Sequence, residues 1–345
     1  MMTILRAFGR LLIFPGILYL CLASLFIAWL DRVLIARWQG RVGPPWYQPL
    51  ADLVKLFAKE DITPYGTHAQ ASALLPILAI ATTMTASLYI PVGNSVISSF
   101  EGDLVVVLFL LSVPTLAYFL AGWSAPSVYG VIGGNRSLLQ YFSYEVPLLI
   151  AMVVPAIFSQ SWSITRLMEA QHGYRWHAFM LPMGFVVSIL GLIGKLKRVP
   201  FDAPHAHAEI GAGPLTEYSG RKLALWKLTV SLQTLVGLNL LVAVYLGGAE
   251  RIWGLWGYGV FEIKMIALVS LLSLIQVLYA RVRIDQVAEI GWRVLVPLGM
   301  LQMLVAIWTK RGLMWLGVRP IRILFHACSE PCLQSPRRSR FPRAH

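Results

Sequence analysis

The sixteen positions from Asp202 to Glu217 carry three carboxylates, Asp202, Glu209 and Glu217, and two imidazoles, His205 and His207. Histidine titrates near neutral pH, and clustered carboxylates shift one another's ionisation, so this density points to proton handling. Two plainer readings compete. His205 and His207 form a His-x-His pair that could ligate a metal, but with one nearby Glu there is no clear further ligand, and no metal site is assigned. Glu217 and Arg221 stand at i, i+4 and could be a helix-end ion pair. A second candidate is Glu145, set in Tyr141-Phe142-Ser143-Tyr144-Glu145-Val146-Pro147 with apolar residues continuing to Phe158. An ionisable group inside an apolar run is costly in a membrane and is a functional candidate, with helix–helix hydrogen bonding as the alternative. Lys227, Glu262 and Lys264 lie nearer the ends of such runs, where long side chains reach water; Lys264 is retained as a proton-path candidate.

Two further polar segments flank these groups. One reads Arg41-Val42-Gly43-Pro44-Pro45 and then Gln48 to Glu60, where Leu50, Leu53, Val54 and Phe57 fall at i, i+3, i+4 and i+7 while Asp52, Lys55 and Lys59 take the other side. That spacing predicts a short amphipathic helix at a membrane surface, and a simple surface anchor is the competing reading for it. The other reads Ala280-Arg281-Val282-Arg283-Ile284-Asp285-Gln286, where Arg281 and Asp285 at i, i+4 could be a solvated ion pair.

The elements that must position these residues are apolar runs. The chain is 57% hydrophobic and 13% charged, far below the roughly 25% charged residues of a soluble domain. Runs at Leu11 to Leu30, Ser72 to Val92, Leu104 to Trp123, Leu138 to Phe158, Ala178 to Gly194, Leu223 to Leu246, Glu262 to Ala280 and Val294 to Trp308 approach the length of about 20 residues that a spanning helix needs. The sequence therefore predicts an all-α polytopic membrane protein of about eight spans, with an amphipathic surface helix and long polar loops. Continuous apolar runs exclude a membrane β-barrel, whose strands alternate. The first run lacks a small-residue cleavage site and is read as a retained helix. The net charge of +13 lies in loops between the runs and not on one basic face, so nucleic acid is not a predicted partner.

Lys and Arg are concentrated in the loops after runs one, three, five and seven, which places those loops in the cytoplasm and the N-terminus outside. The basic tail from Lys310 onward conflicts with an outside C-terminus. Residues 1–317 are read as one helical domain and residues 318–345 as a basic tail; its stretch Ser329 to His345 has no helical period and reads as disorder. Of the three cysteines, Cys21 falls in the first run and Cys328 and Cys332 in the tail, and no pair has the C-x-x-C spacing of zinc or iron–sulfur sites.

Taken together, Arg41-Val42-Gly43-Pro44, Gln48-Pro49-Leu50-Ala51-Asp52 with Lys55 and Lys59-Glu60, Ala121-Gly122-Trp123-Ser124, Ser143-Tyr144-Glu145-Val146, Pro200-Phe201-Asp202, Thr216-Glu217-Tyr218-Ser219-Gly220 and Ala280 to Gln286 resemble the complex I subunit 1 family. That family includes a membrane subunit of the NADH-quinone oxidoreductases and its counterparts in energy-converting membrane-bound nickel–iron hydrogenases. The words occur in family order, from about Arg32 to Trp308. The resemblance implies a cell (inner) membrane subunit of an ion-translocating oxidoreductase with no complete catalytic centre of its own. It implies partners in a peripheral arm of iron–sulfur and large subunits, antiporter-like membrane subunits, and the lipid bilayer. It implies no cofactor held by this chain alone: iron–sulfur clusters, and nickel–iron in hydrogenase-type members, sit in partners, and in quinone-reducing members a quinone sits at the interface. Carried over by residue, Arg41, Asp52, Lys55, Lys59, Glu60, Arg281, Arg283 and Asp285 belong to the peripheral-arm or quinone junction. Asp202, Glu209 and Glu217 belong to the proton-linked connector and Glu145 to the path inside the membrane, while His205, His207 and Lys264 join the proton-path candidates on their own chemistry and not by the resemblance.

Quinone-reducing members usually carry Glu where this chain has His205 and His207, which inclines the resemblance toward the hydrogenase-like branch. The competing function classes are a stand-alone secondary transporter and an intramembrane hydrolase. The first should show repeat symmetry and broken spans, and the second a nucleophile beside a base; neither pattern is evident.

Overall fold

A computed structural model of the chain describes residue 12 and residues 16–93, 95–171, 176–205, 207–249 and 255–315, without the side chains of residues 207, 208, 255 and 310–315. The tail with Cys328 and Cys332 lies outside the described residues. In chain order the main helices are α1 (Ile17–Trp38), α2 (Gln48–Ala58), α3 (Ala69–Tyr89), α4 (Asp103–Ser124), α5 (Val128–Ser159), α6 (Pro182–Lys195), α7 (Gly220–Tyr245), α8 (Leu255–Leu278), α9 (Ile284–Glu289) and α10 (Val296–Trp315). A π-helical turn over Ile290–Leu295 joins α9 to α10.

Among the described residues, seven helical segments are long and apolar enough to cross a membrane, α9 and α10 counting as one. The expected fifth span, Ala178 to Gly194, differs. A helical turn at His177–Met180 is broken at Leu181 before α6, because Pro182 has no N–H to continue the ladder. The 14 residues of α6 rise about 21 Å, short of a hydrocarbon core of about 30 Å. Boundaries moved elsewhere too. The first span runs eight residues past Leu30, through Asp31 and Arg32, and the fourth begins ten residues before Leu138, at Val128. Charges that end an apolar run in sequence are tolerated inside a helix when the bundle supplies partners.

The most enclosed helix is α7, with Leu232, Leu235, Val236 and Leu238 to Tyr245 buried; it packs against α1, α2, α3 and α8. Helix α5 packs against α4, α6, α9 and α10. At one such contact Gly291 lies so near α5 that a Cβ there would stand 2.2 Å from the Ser143 carbonyl oxygen, so only glycine fits. The connector from α6 to α7 holds two 3₁₀ turns, Ala203–His205 and Gly213–Leu215, and a short helix, His207–Ile210, as its prolines and glycines dictate.

Candidate functional site

Three residues within four positions at the exit of α6 reach three different helices. Lys195 closes α6 and points back into the bundle, where its Nζ lies 3.0 Å from both carboxylate oxygens of Glu145 on α5; each side chain is only 5% exposed. Lys197, in a left-handed conformation (φ 52°), places its Nζ 3.2 Å from the ring centre of Tyr118 on α4. Arg198 Nη1 sits 2.8 Å from Asp31 Oδ1 on α1, and Asp31 also accepts a 2.6 Å hydrogen bond from Ser273 on α8. Burial pushes the Lys197 ammonium well below the ordinary lysine range, an effect tempered by the residue's partial exposure.

One side chain brackets this cation-rich segment. The amide nitrogen of fully buried Gln140, on α5, donates to the carbonyl of Gly194 (2.7 Å) just before it and to that of Phe201 (2.8 Å) just after it. Phe201 leads into Asp202, whose backbone carbonyl accepts from Arg281 Nη2 at 2.8 Å. The Tyr118 hydroxyl, 3.0 Å from His205 Nδ1, ties the first 3₁₀ turn of the connector to α4.

On the other side of Arg198 a cavity of about 600 Å³ opens between α1, α2, α7 and the connector. Its wall is apolar at Leu25, Leu53, Leu215 and Leu228, charged at Asp31, Arg32, Asp52, Arg198 and Lys227, and hydrogen-bonding at His205, Tyr218 and Thr234. Arg32 bonds Asp52 at 3.0 Å, and Gln48 supports the other carboxylate oxygen at 3.0 Å. Partial burial disfavours ionisation of Asp52, but the bonds from Arg32 and Gln48 outweigh it and hold the carboxyl below its ordinary range.

Of the residues singled out from sequence, Asp52, His205 and Lys227 meet in this cavity. Glu209 pairs with Arg136 at 2.5 Å on the surface, and that hydrogen bond lowers its carboxyl pKa. Glu217 precedes the turn that starts α7 at Gly220, so it shares no helical face with Arg221, and the i, i+4 pairing has no helix to stand on. Gly220 (φ 52°) lets that turn pack on the first loop: a Cβ there would sit 2.6 Å from the Glu60 carbonyl oxygen. Arg281 clamps the Asp202 backbone. Arg41, Lys55, Lys59, Glu60, Arg283 and Asp285 are exposed beside this face and do not line the cavity. Lys264 lies at the far end of α7, donating to the carbonyls of Leu246 (2.8 Å) and Gly248 (2.9 Å), away from Glu145. The His207 side chain is outside the described residues. Among the described residues, no three His, Cys, Asp or Glu side chains cluster as metal ligands.

Sequence reasoning passed over Lys195, Asp31 and Gln140. Lys195 stands at the edge of an apolar run and reads as a loop charge. For Asp31 a signal existed, since the apolar pattern resumes at Val33-Leu34-Ile35-Ala36 beyond it.

Comparison with known proteins followed the same lines. The family described as NADH dehydrogenase matches residues 11–307. The chain is 32% identical over 321 residues to the H 2 subunit of the NADH-quinone oxidoreductase of Syntrophobacter fumaroxidans, covering 86% of this chain and 93% of that one. It is 30% identical over 304 residues to the H subunit of the NADH-quinone oxidoreductase of Carboxydothermus hydrogenoformans, covering 85% and 87%. Among solved structures it resembles a chain of the membrane-bound sulfane sulfur reductase, an archaeal respiratory membrane complex, with a TM-score of 0.80 and 25% identity over 89% of this chain and 100% of that one.

Proposed function

Because the chain belongs to the NADH dehydrogenase family, that of complex I subunit 1, we propose that it is the membrane-anchor and energy-coupling subunit of a complex I-like oxidoreductase. The observation that carries this reading is the segment from Lys195 to Arg198, which joins the cavity wall at Asp31 to the buried carboxylate Glu145 within four residues. A charge change in the cavity therefore has a short covalent route to an ionisable group inside the bundle. The cytoplasmic face formed by α2, the connector and Arg281 to Asp285 receives a peripheral arm carrying iron–sulfur clusters. Glu145, Asp202, Glu209, Glu217 and His205 carry the ion-linked side of the process, with protons or sodium as the transported ion.

The cavity suits a quinone. Its volume lies within the roughly 300–1,000 Å³ of small-molecule sites, and its mixed wall offers apolar surface to a ring and tail and polar groups to the carbonyl oxygens. His205, Tyr218 and Thr234 would orient such a head group, which when bound supplies the electron-accepting chemistry. Against this stands His205-Ala206-His207, which departs from the carboxylates usual in quinone-reducing members and favours a hydrogenase-like arm on the same anchor.

The test is purification of the tagged chain from native membranes followed by reconstitution in sealed vesicles. Co-purification of iron–sulfur subunits, with ion uptake driven by electron transfer, is expected. A chain that purifies alone and moves a solute without a redox reaction would establish the transporter reading instead.

A further inference from the structure

The Glu145–Lys195 pair is neutral in sum and almost sealed, each side chain being 5% exposed. Removing one charge from such a pair leaves the other buried and uncompensated, at a cost of several kcal/mol. A proton arriving at Glu145 does that: it turns the carboxylate into a carboxylic acid and leaves the Lys195 ammonium facing a neutral group. The ammonium then needs another acceptor, and lysine's flexible four-carbon stem allows it to move to one.

Gln140 carries a candidate acceptor. Its amide nitrogen is committed to the carbonyls of Gly194 and Phe201, which fixes the orientation of the amide, because only the nitrogen can donate to two carbonyl oxygens. Its Oε1 is buried and has no hydrogen-bond donor among the described residues, an arrangement proteins rarely leave unused. The amide is bonded to Gly194, the residue next to Lys195, and so lies beside the base of the lysine stem.

We infer that Lys195 is a two-position positioning residue whose ammonium rests on Glu145 while the carboxylate is charged and on Gln140 Oε1 once Glu145 has taken a proton. The order of preference follows from chemistry: a carboxylate holds an ammonium more strongly than a neutral amide oxygen does, so the second seat is filled only after protonation. No proton is lost from the lysine in this step. One proton adds to one carboxylate oxygen, and one positive charge moves toward Phe201 and hence toward Asp202 at the head of the connector. Protonation inside the bundle is thereby felt by the connector without a conformational change of the helices. The inference rests on the coupling role proposed above.

The experiment compares native complex, Lys195→Met and the doubly neutral Glu145→Gln/Lys195→Met in sealed vesicles, reading assembled complex and ions moved per electron. Lys195→Met alone leaves a buried carboxylate unpaired and is expected to lower assembly. The double variant, with no unpaired charge, is expected to assemble better than Lys195→Met while ions per electron fall about tenfold or more. A double variant whose ions per electron match the native complex would show the pair to be structural and overturn the inference. Native vesicles that move no ions during electron transfer would remove the coupling reading itself, and this inference with it.

Discussion

The pair between Arg198 and Asp31 sets a quantitative expectation for the cavity wall. Arg198→Leu removes the guanidinium 2.8 Å from Asp31 and leaves the carboxylate with the Ser273 hydroxyl as its remaining side-chain donor in this network. Stripping one partner from a fully buried pair costs about 3–5 kcal/mol. Here the side chains are 16% and 12% exposed along the cavity, so water recovers part of that, and about 2–3 kcal/mol is expected. That corresponds to a shift of roughly 30-fold to 160-fold in a folding equilibrium. The double variant Asp31→Asn/Arg198→Leu carries no unpaired charge and should recover about 1–2 kcal/mol of the loss, appearing as non-additivity in a double-mutant cycle. The assay is the amount of intact complex surviving graded heating in mild detergent, for the native chain, both single variants and the double. Equal survival of Arg198→Leu and native complex, or strict additivity of the two changes, would refute the claim that this pair braces α1 against the connector.

Other outcomes are fixed by the same geometry. Gly291→Ala pushes a methyl group onto the Ser143 carbonyl, two residues from Glu145, and should lower recovery of assembled complex by about 1–3 kcal/mol, read by blue-native electrophoresis. Gly220→Ala adds a clash with the Glu60 carbonyl to an unfavourable φ of 52° and should loosen the first loop, seen as faster proteolysis near Glu60. Because the folded pKa of Asp52 is depressed, its pairing with Arg32 stabilises the fold above the ordinary carboxylate value of about 4 and is lost as pH falls from there through the lowered value. Arg32→Gln should reduce that acid-range loss in a pH series of heat survival, leaving the part that Gln48 supports. Cysteines placed at Lys55 and Asp202 should be labelled from the cytoplasmic side; labelling of both from the outside would refute the proposed orientation.

The frame was legible because hydropathy and helix length are strongly constrained in a membrane, and the long runs from Ser72, Leu104 and Leu223 each fall on a helix. Helix α2 was equally readable from its spacing, yet its stripe divides: Leu53 lines the cavity, while Leu50, Val54 and Phe57 are exposed. Periodicity finds an amphipathic helix without saying how much of its apolar face meets protein and how much is left uncovered. The site was half legible. Glu145 stood out because nothing around it in sequence explained a charge, whereas its partner Lys195 looked like any basic residue at a span end. Partners brought together by packing, fifty residues apart, leave no local signal. The same holds for Gln140, whose role rests on two distant carbonyls, one in the last turn of α6 and one in the connector.

The central claim is that this chain converts redox events into ion movement through Glu145. The most direct measurement follows electron transfer and ion uptake simultaneously in sealed vesicles holding either the native complex or Glu145→Gln. The account predicts coupled uptake in the native vesicles and a severe fall in ions moved per electron in the assembled Glu145→Gln complex. An assembled Glu145→Gln complex that moves as many ions per electron as the native one would contradict it.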